Sequence, residues 1–360
     1  MSGSTTLAPQ TLPVKKNGVN NILPISSLRF VLAMWVVAMH FGLPILKAPQ
    51  QDQLLWAARA FLNNAFNAPA AVIVFFVISG FCIHFPNRNG LEVSSWKIYY
   101  ARRYLRILIP MTVAILLSLP LQVQFGLFTG SVLWSLLCEE ISYFLYPALL
   151  ALRDRIGWRY LMALAWVSAF LTVLTNPGAG DYGSYGARLN WVLGLPCWLL
   201  GCQLAERVES LNALPVSAVQ IWMWRGSAYV LSVVLSVLRF HSPLRYPWTL
   251  DLFAVFAVFW LEREIGYYRT PGRVPRFESL GKASYSIYLT HMLAWGLLQT
   301  LPATKAMSTW TAWLTEIALC AGLVTIFYWL VERPSHRFAR RVAKQAAWLR
   351  PIAAAASASD

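Results

Sequence analysis

The chain is short of charge. Only 12% of its 360 residues are Asp, Glu, Lys or Arg, and just 15 are acidic, whereas a soluble domain carries about 25% charged residues. That deficit excludes an ordinary water-facing globule, the more so because 58% of the residues are hydrophobic and the mean hydropathy is +0.51. Cysteine is sparse as well. Cys82, Cys138, Cys197, Cys202 and Cys320 all fall in apolar stretches and form no CxxC pair, so neither a zinc ribbon nor a disulfide framework is expected, and no metal is implied. The first twenty residues lack the apolar core and small-residue cleavage site of a removable signal. No segment between apolar runs exceeds ~25 residues, well below the size of a soluble catalytic domain.

What the chain has in quantity is long apolar runs. A spanning helix needs ~20 mainly apolar residues. Ten candidate stretches lie at 25–46, 69–86, 107–126, 131–152, 158–175, 188–204, 217–238, 247–261, 280–299 and 309–331. With the N-terminus inside, the cytoplasmic segments hold 21 of the 30 Lys and Arg residues, and the opposite side holds six. This positive-inside asymmetry predicts an all-α, polytopic integral membrane bundle of about ten transmembrane helices, N-in and C-in. Residues 1–24 read as a disordered cytoplasmic N-terminus, 25–341 as the membrane domain and 342–360 as a cytoplasmic tail, low in complexity and expected to be disordered from Ala353. The net charge of +15 sits in short loops with no nucleic-acid motif beside it, so the expected partner is the lipid bilayer and not RNA or DNA.

Ionisable groups inside apolar helices are costly and mark function or bundle contacts. The first run, ISSLRFVLAMWVVAMHFG, carries Arg29 and His40. Eleven residues bring an α-helix back to within ~20° of the same face and ~16 Å along its axis. In the fourth run, LWSLLCEEISYFLYPALL, Glu139 and Glu140 are expected about a third of the way in from the outer surface, at the depth of His40. Adjacent acids cannot share a helix face, so one of them, Glu139, is the candidate partner of His40, with Tyr143 one turn along. A carboxylate that orients an imidazole is the base half of an acyl-transfer site; the bland alternative is a structural His–Glu contact. Arg103 and Arg106, three apart, project together and suit phosphate, though lipid headgroups would suit them too. Ser79-Gly80 fits close helix packing or a narrow channel. Ser284, Tyr288 and His291 line up near one face of the ninth run as a pore lining or an inert seam. His84 reads as an interface residue, and His241 and His336 fall in loops with no special signal.

These segments resemble the membrane-bound acyltransferase-3 family. The resemblance is carried by Arg29-x10-His40, FFVISGF at 75–81, Arg103-x-x-Arg106, WSLLCEEISYFLYP at 134–147, SLGKASYSIYLTH at 279–291 and VERP at 331–334, in that order from about Ile25 to Arg341. It implies a multi-pass enzyme of the inner (plasma) membrane that O-acylates glycans or glycosides. Acetyl-CoA or another acyl-CoA would be the donor, His40 catalytic, Arg29, Arg103 and Arg106 donor-binding, and Glu139 the family's acidic position. Ser142 departs from the aromatic residue the family usually carries before Tyr143. A carrier or flippase for a polar or lipid-linked solute, running a proton relay through the same buried ions, is the competing reading.

Overall fold

The computed structural model describes residues 24–44, 53–89, 96–123, 125, 132–208 and 216–356. Among them there is helix and no strand. The elements are α1 (Ile25–Phe41), α2 (Gln53–Ala65), α3 (Ala68–His84), α4 (Trp96–Ser118), α5 (Leu133–Thr175), α6 (Gly186–Arg207), α7 (Ala218–His241), α8 (Tyr246–Arg269), α9 (Ser284–Thr300), α10 (Thr309–Phe327) and α11 (Arg333–Ala356). Each of the ten apolar stretches overlaps a helix, though 25–46 and 107–126 run past the ends of α1 at Phe41 and α4 at Ser118. By length and composition, the helical segments Arg59–Asn87, Leu133–Thr175, Ala218–His241 and Thr309–Gln345 can cross a membrane, and α1 is a shorter apolar helix.

Local chemistry sets the ends. The Asn67 side chain accepts from the Ala70 amide, with Pro69 in the first turn, and opens α3. Ser217 and Gln220 close a reciprocal capping box on α7. The fourth and fifth apolar stretches are two helices fused as α5, broken at Gly157, whose φ of 81° an L side chain rarely adopts. A π-helical turn, Tyr328–Glu332, joins α10 to α11.

α3 is apolar on every side and almost wholly buried, as expected of a central helix. It crosses α6 at backbone contact. A Cβ added at Gly80 would collide with the Trp198 carbonyl, and one at Gly201 with the Val77 carbonyl, the small-residue device of membrane helix packing. The outward faces are hydrophobic: Leu164, Val167 and Leu171 on α5, Trp222, Met223 and Val230 on α7, and Leu314 and Ile326 on α10 are exposed. That surface is suited to lipid.

Two details depart from the sequence reading. α2 was not anticipated, since its 13 residues are too short and polar to register as a span. Helix continues to Ala356, where the tail was expected to be disordered. The N-terminal expectation for residues 1–23 lies outside the described residues.

Candidate active site

Two imidazoles meet between α1 and α9. The His40 and His291 ring centroids are 5.0 Å apart. His40 Nδ1 lies 2.9 Å from the Val36 carbonyl and His291 Nδ1 3.1 Å from the Ile287 carbonyl. A carbonyl only accepts, so each Nδ1 carries the proton, and in its neutral form each ring has its lone pair at Nε2. His291 is fully buried, and its Nε2 has no hydrogen-bond partner. His40, in the last turn of α1, is exposed beside it. Tyr288, one turn from His291 with ring centroids 6.0 Å apart, donates to the Val132 carbonyl at 2.8 Å and accepts from Ser135 Oγ at 2.6 Å.

Among the described residues no hydrogen bond or ion pair joins Glu139 to His40, and the carboxylate accepts from Tyr143. The segment before α5 does not stay at the surface. Val123 packs on Gly296, the Val132 carbonyl takes the Tyr288 hydroxyl, and Leu133 is 2% exposed, so α5 begins inside the bundle. Tyr146 bonds His84 at the end of α3, and Glu139 lies seven residues, or ~10 Å, back from it. Arg29 lies within electrostatic reach of Cys82, two residues before His84, and His40 is ~16 Å beyond Arg29. Glu139 lies within electrostatic reach of Tyr288, the ring neighbour of His291.

Glu139 instead ends a directional hydrogen-bond chain. Trp198 Nε1 donates to Ser79 Oγ at 3.3 Å, Ser79 Oγ donates to Tyr143 Oη at 2.6 Å, and Tyr143 Oη donates to Glu139. The Arg103 guanidinium stacks on the Tyr143 ring at 3.9 Å, a cation–π contact. Its Nε is buried with no hydrogen-bond partner, as is Oε2 of Glu140. Glu139 thus shapes the surroundings of Arg103. Gly80 serves the α3–α6 crossing, while Ser79 belongs to the chain.

Arg29, Arg103 and Arg106 converge, all three within electrostatic reach of Cys82. Among the described residues Arg29 makes no hydrogen bond or ion pair. Arg106 Nε donates to His336 Nε2 at 3.0 Å, which fixes His336 as neutral with its proton on Nδ1. Glu332 of the VERP segment accepts from the Ser286 amide at 3.0 Å and from the Ser286 hydroxyl, tying the π-turn to α9. Ser284, at the start of α9, is buried with an unpartnered hydroxyl. His336 is on helix α11, not in a loop, and no local signal marks it, because its partner is 230 residues away. His84 is an interface residue, bonded to Tyr146 and Glu206 at 2.8 Å each.

The arrangement is a file of polar groups. Three guanidiniums lie at one end, the Tyr143–Glu139 chain stands next, and two imidazoles with free Nε2 lone pairs lie beyond. Glu139, Glu140 and Glu332 lie within electrostatic reach of these guanidiniums, and the orphaned Nε of Arg103 fits a phosphate oxygen. A family model described as an acyltransferase domain matches residues 24–332, which takes in every one of these groups except His336. Comparison with curated proteins returns no match, and neither does comparison with solved structures.

Proposed function

The chain belongs to the acyltransferase domain family, and from that premise we propose that it moves an acyl group, acetyl in the simplest case, from acyl-CoA to a hydroxyl of a glycan or glycoside. The observation that carries this reading is the His40–His291 pair, with both Nδ1 protons tied to backbone carbonyls and both Nε2 lone pairs left for chemistry.

In the proposed reaction the donor enters from the end carrying Arg29, Arg103 and Arg106, taken as the cytoplasmic side of an inner-membrane protein. Its phosphates pair with the three guanidiniums. Its pantetheine arm follows the file of polar groups, and the ~16 Å from Arg29 to His40 is the length such an arm must cover to bring its thioester to the imidazoles. The acceptor reaches His40 from its exposed side. His40 Nε2 takes the hydroxyl proton as the oxygen bonds to the thioester carbon. The tetrahedral adduct then expels the thiolate, which takes that proton and leaves as free thiol. The same lone pair could instead take the acyl group first and pass it to the hydroxyl. His291, buried behind His40, keeps a second neutral lone pair at the reacting centre.

The test uses purified full-length protein with labelled acetyl-CoA, reading thiol release and label transfer to glycan. Replacing His40 by Ala is expected to lower turnover by about 10³-fold while the protein stays monodisperse with an unchanged thermal midpoint. Normal transfer by folded His40→Ala protein would refute the mechanism. Transport of acetyl-CoA or glycan without thiol release would refute the enzyme reading altogether.

A further inference from the structure

Away from the file of polar groups, a second buried cluster has more hydrogen-bonding capacity than the protein fills. Asp251 on α8 is fully buried. Its Oδ1 accepts from the Tyr182 hydroxyl and, at 3.4 Å, from Cys197 Sγ on α6, while Oδ2 has no partner. Asn190, seven residues before Cys197 and so on the same face of α6, is fully buried with neither its oxygen nor its nitrogen bonded. Tyr185, 7% exposed, has a buried hydroxyl with no partner. Among the described residues no counter-cation bonds Asp251. Buried polar groups are bonded in the great majority of cases, and four orphaned atoms carried by Asp251, Asn190 and Tyr185 imply a partner that comes from outside the chain.

The cluster sits under a cleft. Asn176 and Pro177, just past the end of α5, face Pro243, Arg245, Pro247 and Trp248 at the start of α8. Pro247 and Asp251 are four residues apart on α8, so the acid lies one turn beneath the cleft wall on the same face. Tyr185 is within electrostatic reach of both Arg245 on the rim and Asp251 beneath it. Aromatic rings surround the set: Trp134 stacks on Tyr182 with centroids 5.5 Å apart, and Trp248 on Phe170 at 5.2 Å.

We infer that this cleft and the Asp251–Asn190–Tyr185 floor form a binding subsite for a polyhydroxylated ligand. Resting on the reading above, that ligand is a sugar residue of the acceptor some distance from the hydroxyl that is acylated. A carboxylate oxygen takes a donated hydroxyl proton, a tyrosine hydroxyl and an amide offer both donors and acceptors, and flanking aromatic rings pack on the apolar face of a pyranose. A phosphate is disfavoured by the carboxylate, and an acyl chain by four polar atoms. Ligand entry requires Tyr185 to swing aside, since the floor is closed in the free protein.

Two variants test this. Tyr185→Phe deletes a hydroxyl bonded to nothing in the free protein, so a purely structural account predicts no effect. Asp251→Asn keeps the shape and removes the charge. The probe is the oligosaccharide pool released by mild acid from the producing organism's own envelope, tritiated at its reducing ends, with binding read by equilibrium dialysis and transfer by thiol release from acetyl-CoA. The subsite predicts a rise of about 10-fold or more in the dissociation constant and acceptor KM for both variants, with the acetyl-CoA KM moving less than about 2-fold. Unchanged acceptor binding in Tyr185→Phe and in folded Asp251→Asn, or no binding of the pool by the wild-type chain, overturns it. Wild-type binding that both variants weaken, with no thiol released from acetyl-CoA by any of them, would overturn the acyl-transfer reading and leave the subsite standing.

Discussion

Two kinds of buried polar ensemble share this bundle, and they differ in how completely they are bonded. At one end of α3, His84 donates Nε2–H to Glu206 and accepts from Tyr146, while Arg153 and Trp158 also donate to Glu206, at 2.9 and 3.3 Å. Between α7 and α8, Arg225 forms a two-pronged pair with Glu264 at 2.7 and 2.9 Å, and Trp260 adds a third donor at 3.0 Å. Both ensembles satisfy one another and cross-link helices. The file from Arg103 to His291 does the opposite. It leaves Arg103 Nε, Glu140 Oε2, Ser284 Oγ and His291 Nε2 without partners. A membrane bundle gains adhesion from filled networks, and unfilled ones at the same depth are kept for something that arrives later. Ionisable residues in apolar helices are thus of two classes, and the bonding state separates them where the residue type does not.

The comparison can be broken or sharpened by substitution. After loss of His40, the largest effect on turnover should come from His291→Ala, about 10²-fold, read as kcat by thiol release; an effect below about 3-fold would move His291 into the structural class. Arg103→Ala should raise the acetyl-CoA KM by about 10- to 100-fold, the worth of one or two hydrogen bonds to a charged group, with a smaller change in kcat. Glu139→Gln sharpens the assignment of the acid. As the end of the Tyr143 chain it should shift the acetyl-CoA KM by about 10-fold and resemble Arg103→Ala, whereas a kcat loss matching His40→Ala would restore it to the imidazole. Smallest in activity, Glu206→Gln should change turnover by less than about 2-fold yet destabilise the protein by about 1–3 kcal/mol, seen as a lower thermal midpoint in detergent.

Much of this was legible in the sequence. Apolar run lengths placed the helices, and the eleven-residue spacing put Arg29 and His40 on one face of α1. The three arginines, though scattered over two helices, do converge. The bonding partner of Glu139 was not legible, because it depends on how α5 packs against α3. Hydropathy cannot tell a run that begins at the surface from one whose first residue is already packed against α9. Nor could His336 be found, since its role rests on a turn at Tyr328–Glu332 that carries helix onward past a proline. The Asp251 cluster was missed for a simpler reason. A single acid in an apolar run gives no hint of the Asn and Tyr that two other elements bring to it.

The crossing of α3 and α6 has a consequence for chemistry well away from any charge. Trp198 reaches Ser79 only because the neighbouring position on α3, Gly80, lets the Trp198 carbonyl lie flush against it. One added methyl would push the two rods apart, lengthen the first link of the chain that ends on Glu139, and loosen the ring on which Arg103 rests. Under the proposed function, donor handling is therefore governed partly by a spacing rule between two backbones, enforced by residues that own no functional group.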